Sequence, residues 1–287
     1  MRATLILDSI TSITVLPGTD KSGKPERFSP IVLNAGEAVS IVGPTGSGKT
    51  AFITDIELLA QGDTITGRKV LINGQVPPEE YRLHPALKPV AMITQNTKCF
   101  TDLSVREFLE VHIRARHGPG SGSPLSQTAA EALIDNTIGL ANLFTGEKIK
   151  PGMRVTGLSG GQTRSLLIAD AILIGAAPVI LLDEIENAGI FKHEVLRAIQ
   201  ESGKIVIFVT HDPVIALLTQ KRIVMENGTV KRLLPFNQAE SLAAKSLMEL
   251  DSKINFLREE LRQGKILTQE TFHSLGSGFG LASTLGL

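Results

Sequence analysis

A glycine-rich segment early in the chain carries the residue types that bind phosphate. It matches the pattern G-x-x-x-x-G-K-[ST] without a mismatch, between a predicted strand at residues 37–42 and a predicted helix at residues 50–60. Its members are Gly43, Pro44, Thr45, Gly46, Ser47, Gly48, Lys49 and Thr50. Glycines let backbone N–H groups surround phosphate oxygens, and the helix N-terminus adds a positive dipole. We expect Lys49 to reach the β- and γ-phosphates of a nucleotide and the Thr50 hydroxyl to bind Mg²⁺.

Two adjacent carboxylates at the end of an apolar strand supply matching chemistry. Residues 179–182 are continuously apolar, which is typical of a strand buried on both faces of a parallel sheet, and Asp183 and Glu184 follow directly. We expect Asp183 to hold Mg²⁺, directly or through water. Glu184 can polarise the water that attacks the γ-phosphate. One oriented carboxylate is enough, because phosphoryl transfer depends mainly on positioning and charge stabilisation.

A second candidate phosphate site lies at residues 158–162, which read Leu-Ser-Gly-Gly-Gln. The Ser159 hydroxyl and the amides of Gly160 and Gly161 precede a helix that we expect to run from Thr163 to Ile174. Amides at a helix N-terminus bind anions. One chain therefore carries two half-sites for phosphate.

These segments, in this order, resemble the motifs of the ATP-binding-cassette (ABC) ATPases, and the resemblance covers roughly residues 3–232. It implies an ATPase with ATP and Mg²⁺ as ligands, in which Lys49, Glu184 and His211 are catalytic and Ala51 also contacts the nucleotide. In the family, the residue matching Gln95 touches Mg²⁺ and links the γ-phosphate to a helical subdomain. The residue matching His211, which follows the apolar run Ile205–Val209, contacts the γ-phosphate. The residues implied to face the ATP of an opposite subunit are Ser159, Gly160, Gly161 and Gln162.

The resemblance also implies an assembly. In the family, two cassettes meet head to tail around two ATP molecules, and we expect a homodimer because both half-sites are complete in this chain. Closure of the dimer would be felt by a partner protein at the helical subdomain. We favour the motor subunit of a membrane transporter, with its permease on another chain. The alternatives are a soluble cassette that remodels, assembles or activates a protein complex such as a metalloenzyme, and a nucleotide-gated binding module with little turnover.

The sequence departs from the family pattern in three places. Residues 185–189 read Ile-Glu-Asn-Ala-Gly where most members have a Ser-Ala-Leu-Asp-like turn, so we expect altered communication between the two sites. Residues 3–27 contain no aromatic side chain to stack on adenine, and Phe28 lies in a predicted loop. We therefore expect relaxed base specificity, with Ile13 or Val15 supplying apolar contact instead. Ala51 replaces a second hydroxyl residue, with little effect expected because Thr50 carries the metal role.

Strand-like runs alternate with helical patterns along most of the chain, which indicates an α/β fold. We predict a P-loop NTPase core with a mostly parallel sheet, antiparallel N-terminal strands, an inserted helical subdomain and a C-terminal helical tail. The predicted cassette covers residues 1–235, with its nucleotide-binding core at 1–95 and 165–235 and its helical subdomain at 96–164. Within the subdomain, Ser104 and Glu107 form a capping-box pattern, and a second helix is expected over residues 127–138.

The C-terminal extension, residues 236–287, contains a predicted helix over residues 239–262. Its apolar residues follow heptad spacing over two repeats and are Leu247, Leu250, Ile254, Leu257 and Leu261. Packing on the chain's own body is the simpler interpretation of this seam. Self-association or docking to a partner is the alternative.

Composition narrows the remaining possibilities. Of 287 residues, 42% are hydrophobic and 20% charged, so a sizeable core can be buried. Lys+Arg and Asp+Glu both number 29, so a generic basic footprint is absent and we expect no nucleic-acid partner. The single cysteine, Cys99, is interpreted as structural, with a redox or metal role through a partner as the alternative. We expect a cytoplasmic location, at the inner face of the membrane if the partner is a permease.

Overall fold

The computed structural model of the protein describes residues 10–84, 87–117, 124–185, 190–269 and 271. Contacts divide the chain into two compact units, Met1–Phe236 and Asn237–Leu287. Both sheets and all the predicted site residues belong to the first unit.

An antiparallel sheet of three strands lies near the N-terminus. Strand β1 (Ser12–Leu16) occupies its centre, between β2 (Ile31–Asn34) and β4 (Lys69–Ile72). The predicted antiparallel N-terminal strands are therefore confirmed. Of the run predicted as a strand, residues 3–9 lie outside the described residues.

A six-stranded sheet carries the candidate site at one end. Its spatial order is β5 (Val90–Thr94), β6 (Val179–Asp183), β7 (Ile205–Val209), β3 (Ala38–Val42), β8 (Lys221–Glu226) and β9 (Thr229–Pro235). All neighbouring pairs are parallel except β8 with β9. The predicted mostly parallel sheet is confirmed.

Alternate side chains of the central strands supply two separate hydrophobic cores. On β6, Ile180 and Leu182 join a core with the helical subdomain, whereas Val179 and Leu181 join a core with the antiparallel sheet. Successive side chains of a strand point to opposite faces, so burial on both sides requires the continuous apolar runs seen in the sequence.

Helices cover both faces of the six-stranded sheet. Those of the nucleotide-binding core are α1 (Lys49–Glu57), α2 (Glu79–Leu83), α6 (Lys192–Glu201) and α7 (Pro213–Leu218). The inserted helical part consists of α3 (Val105–His117), α4 (Gln127–Phe144) and α5 (Gly160–Leu173).

The ends of the inserted helices differ in part from the predictions. The Ser104 capping box is confirmed, because the Glu107 carboxylate accepts from the Ser104 backbone N–H at 2.7 Å and Ser104 Oγ accepts from Glu107 N at 3.3 Å. The predicted end of α4 at residue 138 is wrong, since the helix continues to Phe144. Ala141 and Phe144 extend its buried face by one further turn. Residues 118–123 of the predicted connection lie outside the described residues.

The second unit contains the helix α8 (Gln238–Arg262), which matches the predicted long helix closely. On its seam, Leu247, Leu250 and Leu257 are half-buried, whereas Ile254 and Leu261 are 41% and 57% exposed. The final stretch, residues 272–287, lies outside the described residues. In the part of the chain that is described, none of the helices combines the length and the apolar character needed to cross a membrane.

A buried ion-pair cluster ties the antiparallel sheet to the rest of the core. The side chains of Arg68 and Glu26 are fully buried, and that of Asp55 on α1 is 2% exposed. Arg68 contacts Glu26 Oε1 at 2.6 Å and Asp55 Oδ2 at 3.1 Å, and it donates to the Gly228 carbonyl at 2.6 Å. Its guanidinium also lies 5.1 Å from the centre of the Phe52 ring. We call these residues the Arg68 cluster.

A histidine–carboxylate pair joins two helices of the inserted part. His112 Nδ1 on α3 lies 2.8 Å from Asp170 Oδ2 on α5, and the His112 ring packs against Phe108 with centroids 4.3 Å apart. The hydrogen bond to Asp170 raises the pKa of His112, against the opposing effects of partial burial and of Arg116. Protonated His112 therefore strengthens the contact between α3 and α5.

Arg68→Met should destabilise the protein by about 3–5 kcal/mol, because it leaves Glu26 and Asp55 buried without their cation. Urea unfolding of the full chain, followed by far-ultraviolet circular dichroism, measures the free energy. Arg82→Met is the matched control, since the Arg82–Asp63 pair is 26% and 50% exposed and should contribute less than about 1 kcal/mol. Equal small losses in both variants would contradict a structural role for the cluster.

His112→Gln should cost more stability in acid than in base. A raised folded-state pKa gives stability that is complete below the unfolded pKa and is lost as pH rises through the folded one. We expect a deficit of up to about 1 kcal/mol near pH 5.5, shrinking towards pH 8, because the His112 side chain is 38% exposed. Urea unfolding at both pH values checks this against His84→Gln, which changes an exposed histidine. A deficit independent of pH would contradict the assignment.

Candidate active site

The phosphate loop connects β3 to α1, and two of its glycines are required by close packing. A Cβ on Gly43 would lie 2.3 Å from the Met225 carbonyl oxygen, and one on Gly48 would lie 2.9 Å from Gly228 Cα. Both residues also have positive φ, 153° and 100°. Only glycine fits both positions, so the loop can curl closely over the β8–β9 turn.

The side chains of the loop divide into exposed and enclosed ones. Pro44, Thr45, Gly46 and Thr50 are exposed, and Ala51 is half-buried. Lys49 is buried, and its ammonium donates to the carbonyls of Gly43 at 2.8 Å and Pro44 at 3.2 Å. Ser47 is also buried, and in the described part of the chain its hydroxyl has no hydrogen-bond partner. A lysine that donates to neutral carbonyls beside an exposed threonine fits a nucleotide phosphate with its metal ion.

Strand register brings the remaining predicted residues to one edge of the sheet. Thr94, Asp183 and Val209 are direct neighbours on β5, β6 and β7, so Gln95, Glu184 and Thr210 follow at the same level. The Thr210 amide donates to Ile41 on β3, just before the phosphate loop, at 3.2 Å. The predicted metal ligands Gln95 and Asp183 thus leave adjacent strands, with Gln95 exposed and Asp183 half-buried.

The oxygen donors at this edge, Thr50, Gln95 and Asp183, fit a hard cation such as Mg²⁺ if a ligand supplies further oxygen atoms. Among the described residues, no group of three or more His, Cys, Asp or Glu side chains is placed to hold a metal ion. A hydroxyl, an amide oxygen and one carboxylate are oxygen donors of the type Mg²⁺ prefers. Mg²⁺ usually completes its shell with water and substrate phosphates.

Glu184 sits in a strained backbone position at the end of β6. Its φ is +50°, in the left-handed region that non-glycine residues seldom adopt. The conformation is held by the Glu184 amide, which donates to the Val209 carbonyl at 3.0 Å. Glu184 Oε1 lies 3.6 Å from His211 Nε2, and both side chains are partly exposed. The two predicted catalytic residues are therefore neighbours that solvent can reach.

A groove of about 500 Å³ connects His211 to the start of the phosphate loop. Gly43, Pro44, His211 and Asp212 are among the residues that line it. Asp212 is fixed there, because it caps α7 by accepting from the amides of Val214 at 2.9 Å and Ile215 at 3.1 Å and also pairs with Lys192.

The Leu-Ser-Gly-Gly-Gln segment differs from the prediction in where its helix begins. Helix α5 starts at Gly160 rather than Thr163, because Ser159 and Gln162 cap it reciprocally. Ser159 Oγ accepts from Gln162 N at 3.3 Å, and Gln162 Oε1 accepts from Ser159 N at 2.9 Å. Gly160 and Ser159 are exposed, Gly161 is half-buried and Gln162 is buried. A phosphate contact by Gln162 stays a prediction, while its side chain here completes the cap.

A second groove, of about 440 Å³, combines Gln95 with this segment and contains no residue of the phosphate loop. Leu158, Gly160 and Arg164 line it together with Gln95. The Arg164 guanidinium donates to the Gln95 carbonyl, and burial lowers the pKa of Arg164 from its usual value. Arg164 was not among the predicted site residues, and no motif would have identified it.

The structure corrects the expected adenine contact. Ile13 and Val15 are fully buried in the core below the antiparallel sheet, so the prediction that either supplies apolar contact to a base is wrong. Phe28 is half-buried and packs against the same core. Alternation along β1 explains the error, because odd positions of this strand face the core.

The unusual turn after Glu184 and the interpretation of Cys99 remain as predictions. Residues 186–189 of the unusual turn lie outside the described residues. Cys99 is half-buried against the hydrophobic core, and burial raises the pKa of its thiol. That environment supports a structural role for Cys99, since reactive cysteines have lowered pKa values.

Comparison with known proteins gives consistent similarities. A family model described as ABC transporter matches residues 30–187. An uncharacterized ABC transporter ATP-binding protein of Methanocaldococcus jannaschii is 44% identical over 269 residues, 94% of this chain and 99% of that protein, so the match includes part of the C-terminal extension. The thiamine import ATP-binding protein ThiQ of Brucella suis biovar 1 is 30% identical over 215 residues, 72% of this chain and 82% of that protein.

Solved structures share the fold at lower identity. The dimeric structure of a post-hydrolysis state of an ATP-binding cassette bound to ADP and Pi has a TM-score of 0.58 and 22% identity, covering 78% of this chain and 99% of that one. The structure of an ATP binding subunit of an ABC transporter has a TM-score of 0.57 and 20% identity, covering 92% of this chain and 99% of that one.

Proposed function

This chain belongs to the ABC ATPases, and we propose that two copies of it enclose two ATP molecules and use their hydrolysis to move a partner protein. The observation that carries this proposal is the meeting of the phosphate loop, Gln95, Glu184 and His211 at one edge of the parallel sheet. Every one of these segments follows the carboxyl end of a strand, which is where α/β sheets bind their ligands.

The phosphate loop is proposed to hold the β- and γ-phosphates of ATP. The backbone amides beside Gly46 and Gly48 and the buried ammonium of Lys49 would donate to phosphate oxygens. Lys49 would exchange its present carbonyl partners, Gly43 and Pro44, for charged oxygens, which form stronger hydrogen bonds.

Mg²⁺ is proposed to bind between the nucleotide and the donors Thr50, Gln95 and Asp183. When bound, it would neutralise phosphate charge. The pairing of Asp183 between β5 and β7 and the place of Thr50 in the first turn of α1 support this proposal.

Glu184 is proposed to orient and polarise the attacking water, with His211 beside it contacting the γ-phosphate. The 3.6 Å separation of their side chains supports a shared task. The left-handed backbone of Glu184 turns the chain sharply at the strand end, directly beside the Val209 carbonyl of β7.

Dimerisation is proposed because the two phosphate half-sites do not share a groove on one chain. The phosphate loop lines one groove with His211, whereas Ser159 lies at the segment that lines the other with Gln95. A second copy could bring its Ser159, Gly160 and Gly161 to the first copy's nucleotide. The dimeric cassette among the structural neighbours supports this arrangement.

The partner is proposed to be a membrane permease that contacts the helical subdomain at residues 96–164. ThiQ, a thiamine import ATP-binding protein, and MetN of Chlamydia pneumoniae, a methionine import ATP-binding protein, are similar to this chain and support a transport role. Phe100 is 90% exposed at the rim of the second groove, where an apolar partner surface could bind. This arrangement would place the cassette at the cytoplasmic face of a membrane.

A soluble remodelling or assembly cassette is the second candidate. Two observations favour it. Ile13 and Val15 are buried and cannot contact adenine, and a C-terminal unit follows the cassette. Neither feature is needed for a permease motor.

Glu184→Gln should lower ATP turnover by about 10²- to 10⁴-fold and retain ATP binding, because only the water-orienting carboxylate is lost. It should also accumulate an ATP-bound dimer, detected by size-exclusion chromatography with light scattering. Glu79→Gln, the same change at an exposed helix position, should leave turnover unchanged.

Lys49→Ala should lose ATP affinity in calorimetric titration. Wild-type turnover in Glu184→Gln would remove Glu184 from catalysis, and unchanged affinity in Lys49→Ala would refute the loop assignment.

Native purification from source cells should recover the chain with a polytopic membrane protein. The membrane and soluble fractions are purified separately with ADP and Mg²⁺, and co-purifying chains are identified by mass spectrometry. A permease in the membrane fraction would support transport. Recovery of soluble partners alone, especially metalloenzyme subunits, would replace it with the assembly function.

A further inference from the structure

A short turn before the phosphate loop in sequence returns to it in space. The turn spans residues 19–25 and is closed by a bridge between Thr19 and Pro25. We call it the Asp20 turn. At its tip, the Lys21 ammonium donates to the Gly46 carbonyl of the phosphate loop, and the Lys21 amide lies 3.4 Å from the Asn227 carbonyl. A second lysine therefore reaches the loop that already contains Lys49.

The Asp20 turn is held rigidly by its own carboxylate. Asp20 Oδ1 accepts from Ser22 N at 2.8 Å, Ser22 Oγ at 2.7 Å and Lys24 N at 2.9 Å. These bonds, with that from the Ser22 hydroxyl foremost, lower the pKa of Asp20. These bonds thus fix the backbone of the turn that carries Lys21 at its tip.

The base of the turn is anchored in the buried core. Thr19 N donates to the Thr66 carbonyl at 2.6 Å, and Gly18 N donates to Glu26 Oε2 at 2.9 Å. Glu26 is itself paired with Arg68 in the Arg68 cluster. The position of Lys21 is therefore fixed by contacts that do not involve its charge.

The stem of Lys21 lies on a surface that only glycine provides. A Cβ on Gly228 would lie 2.6 Å from Lys21 Cγ and 2.9 Å from Lys21 N. The Gly228 amide donates to the Ser47 carbonyl at 2.8 Å. The backbone of Gly228 thus lies between the aliphatic part of Lys21 and the phosphate loop, in contact with both.

Both lysines bind neutral oxygens of the same loop. Lys49 donates to Gly43 and Pro44, and Lys21 donates to Gly46. An ammonium gains more from a phosphate oxygen than from a peptide carbonyl, because the partner is charged. A bound triphosphate would therefore attract both side chains away from their carbonyls.

We propose that Lys21 is a further nucleotide-binding residue, which leaves the Gly46 carbonyl and contacts the polyphosphate of the nucleotide held in the phosphate loop. The inference rests on the proposed function, since it requires a nucleotide in that loop. A contact to phosphate does not read the base. With Ile13 and Val15 buried and Phe28 packed on the core, affinity then depends on the phosphates, and the ligand class is nucleoside triphosphates in general.

The experiment measures dissociation constants of the purified full chain for Mg²⁺-ATP and Mg²⁺-GTP by calorimetric titration. Lys21→Met keeps the length of the stem and removes the charge. We expect it to weaken both nucleotides by the same factor, about five- to tenfold, as one partly exposed charged hydrogen bond is lost. The factor should shrink as salt rises from about 50 mM to about 500 mM, because exposed charges are screened.

Lys24→Met is the matched control, since it removes the same charge from the same turn while its backbone bond to Asp20 remains. It should bind both nucleotides as the wild type does, and Lys21→Arg should recover most of the affinity. Wild-type affinity in Lys21→Met, an equal loss in Lys24→Met, or a loss for ATP alone would each overturn the inference. If the wild type binds neither nucleotide, or Lys49→Ala binds as well as the wild type, the proposed function itself fails.

Discussion

The buried guanidinium of Arg68 is the interaction on which the surroundings of the phosphate loop depend. It joins Glu26 at the base of the Asp20 turn, Asp55 on the helix that follows the loop, and the Gly228 carbonyl beneath it. Arginine suits this task because its planar group donates in several fixed directions and stays charged. Three segments far apart in sequence are thereby locked around one loop. The loop is then shaped before any ligand arrives, which lowers the ordering cost of binding.

The helical subdomain shares a hydrophobic core with β6, and one polar contact between the two is much lighter than the Arg68 cluster. Arg164, on the helix capped by Ser159, donates to the backbone of Gln95 at the end of β5. Gln95 follows β5 beside Asp183, so a change at the proposed metal ligands can reach α5 through one residue. A surface hydrogen bond of this kind stores little energy and can be broken and remade cheaply. The Arg68 cluster therefore fits a phosphate loop that stays fixed, and the Arg164–Gln95 hydrogen bond fits a contact that can change.

Much of the core was predictable from sequence because its patterns are local. The strands predicted at residues 37–42 and 179–182 are observed as β3 and β6 within one residue, and the order of strands and helices indicated the parallel sheet. The start of α5 was missed by treating Ser159 and Gln162 as ligands only, although their spacing is also that of a capping box.

The remaining errors concern contacts between distant segments. Nothing in the sequence connects Lys21 with Gly46 or Arg68 with Glu26, since neither pair has a motif or a periodic spacing. The failed adenine contact has a different origin. Position along the chain suggests that Ile13 or Val15 meets a base, but the face that each residue presents depends on which side of the strand meets the core.

The left-handed backbone of Glu184 lowers stability at the same position that is proposed to orient the attacking water. A φ of +50° costs a non-glycine residue about 1 kcal/mol or more, and glycine would relieve it. The position proposed to orient the attacking water is thus one where substitution can make the fold more stable. In a lineage released from the need to hydrolyse ATP, mutation would readily remove this carboxylate without penalising the fold. Related chains without it would then persist as well-folded cassettes that bind nucleotide and no longer consume it.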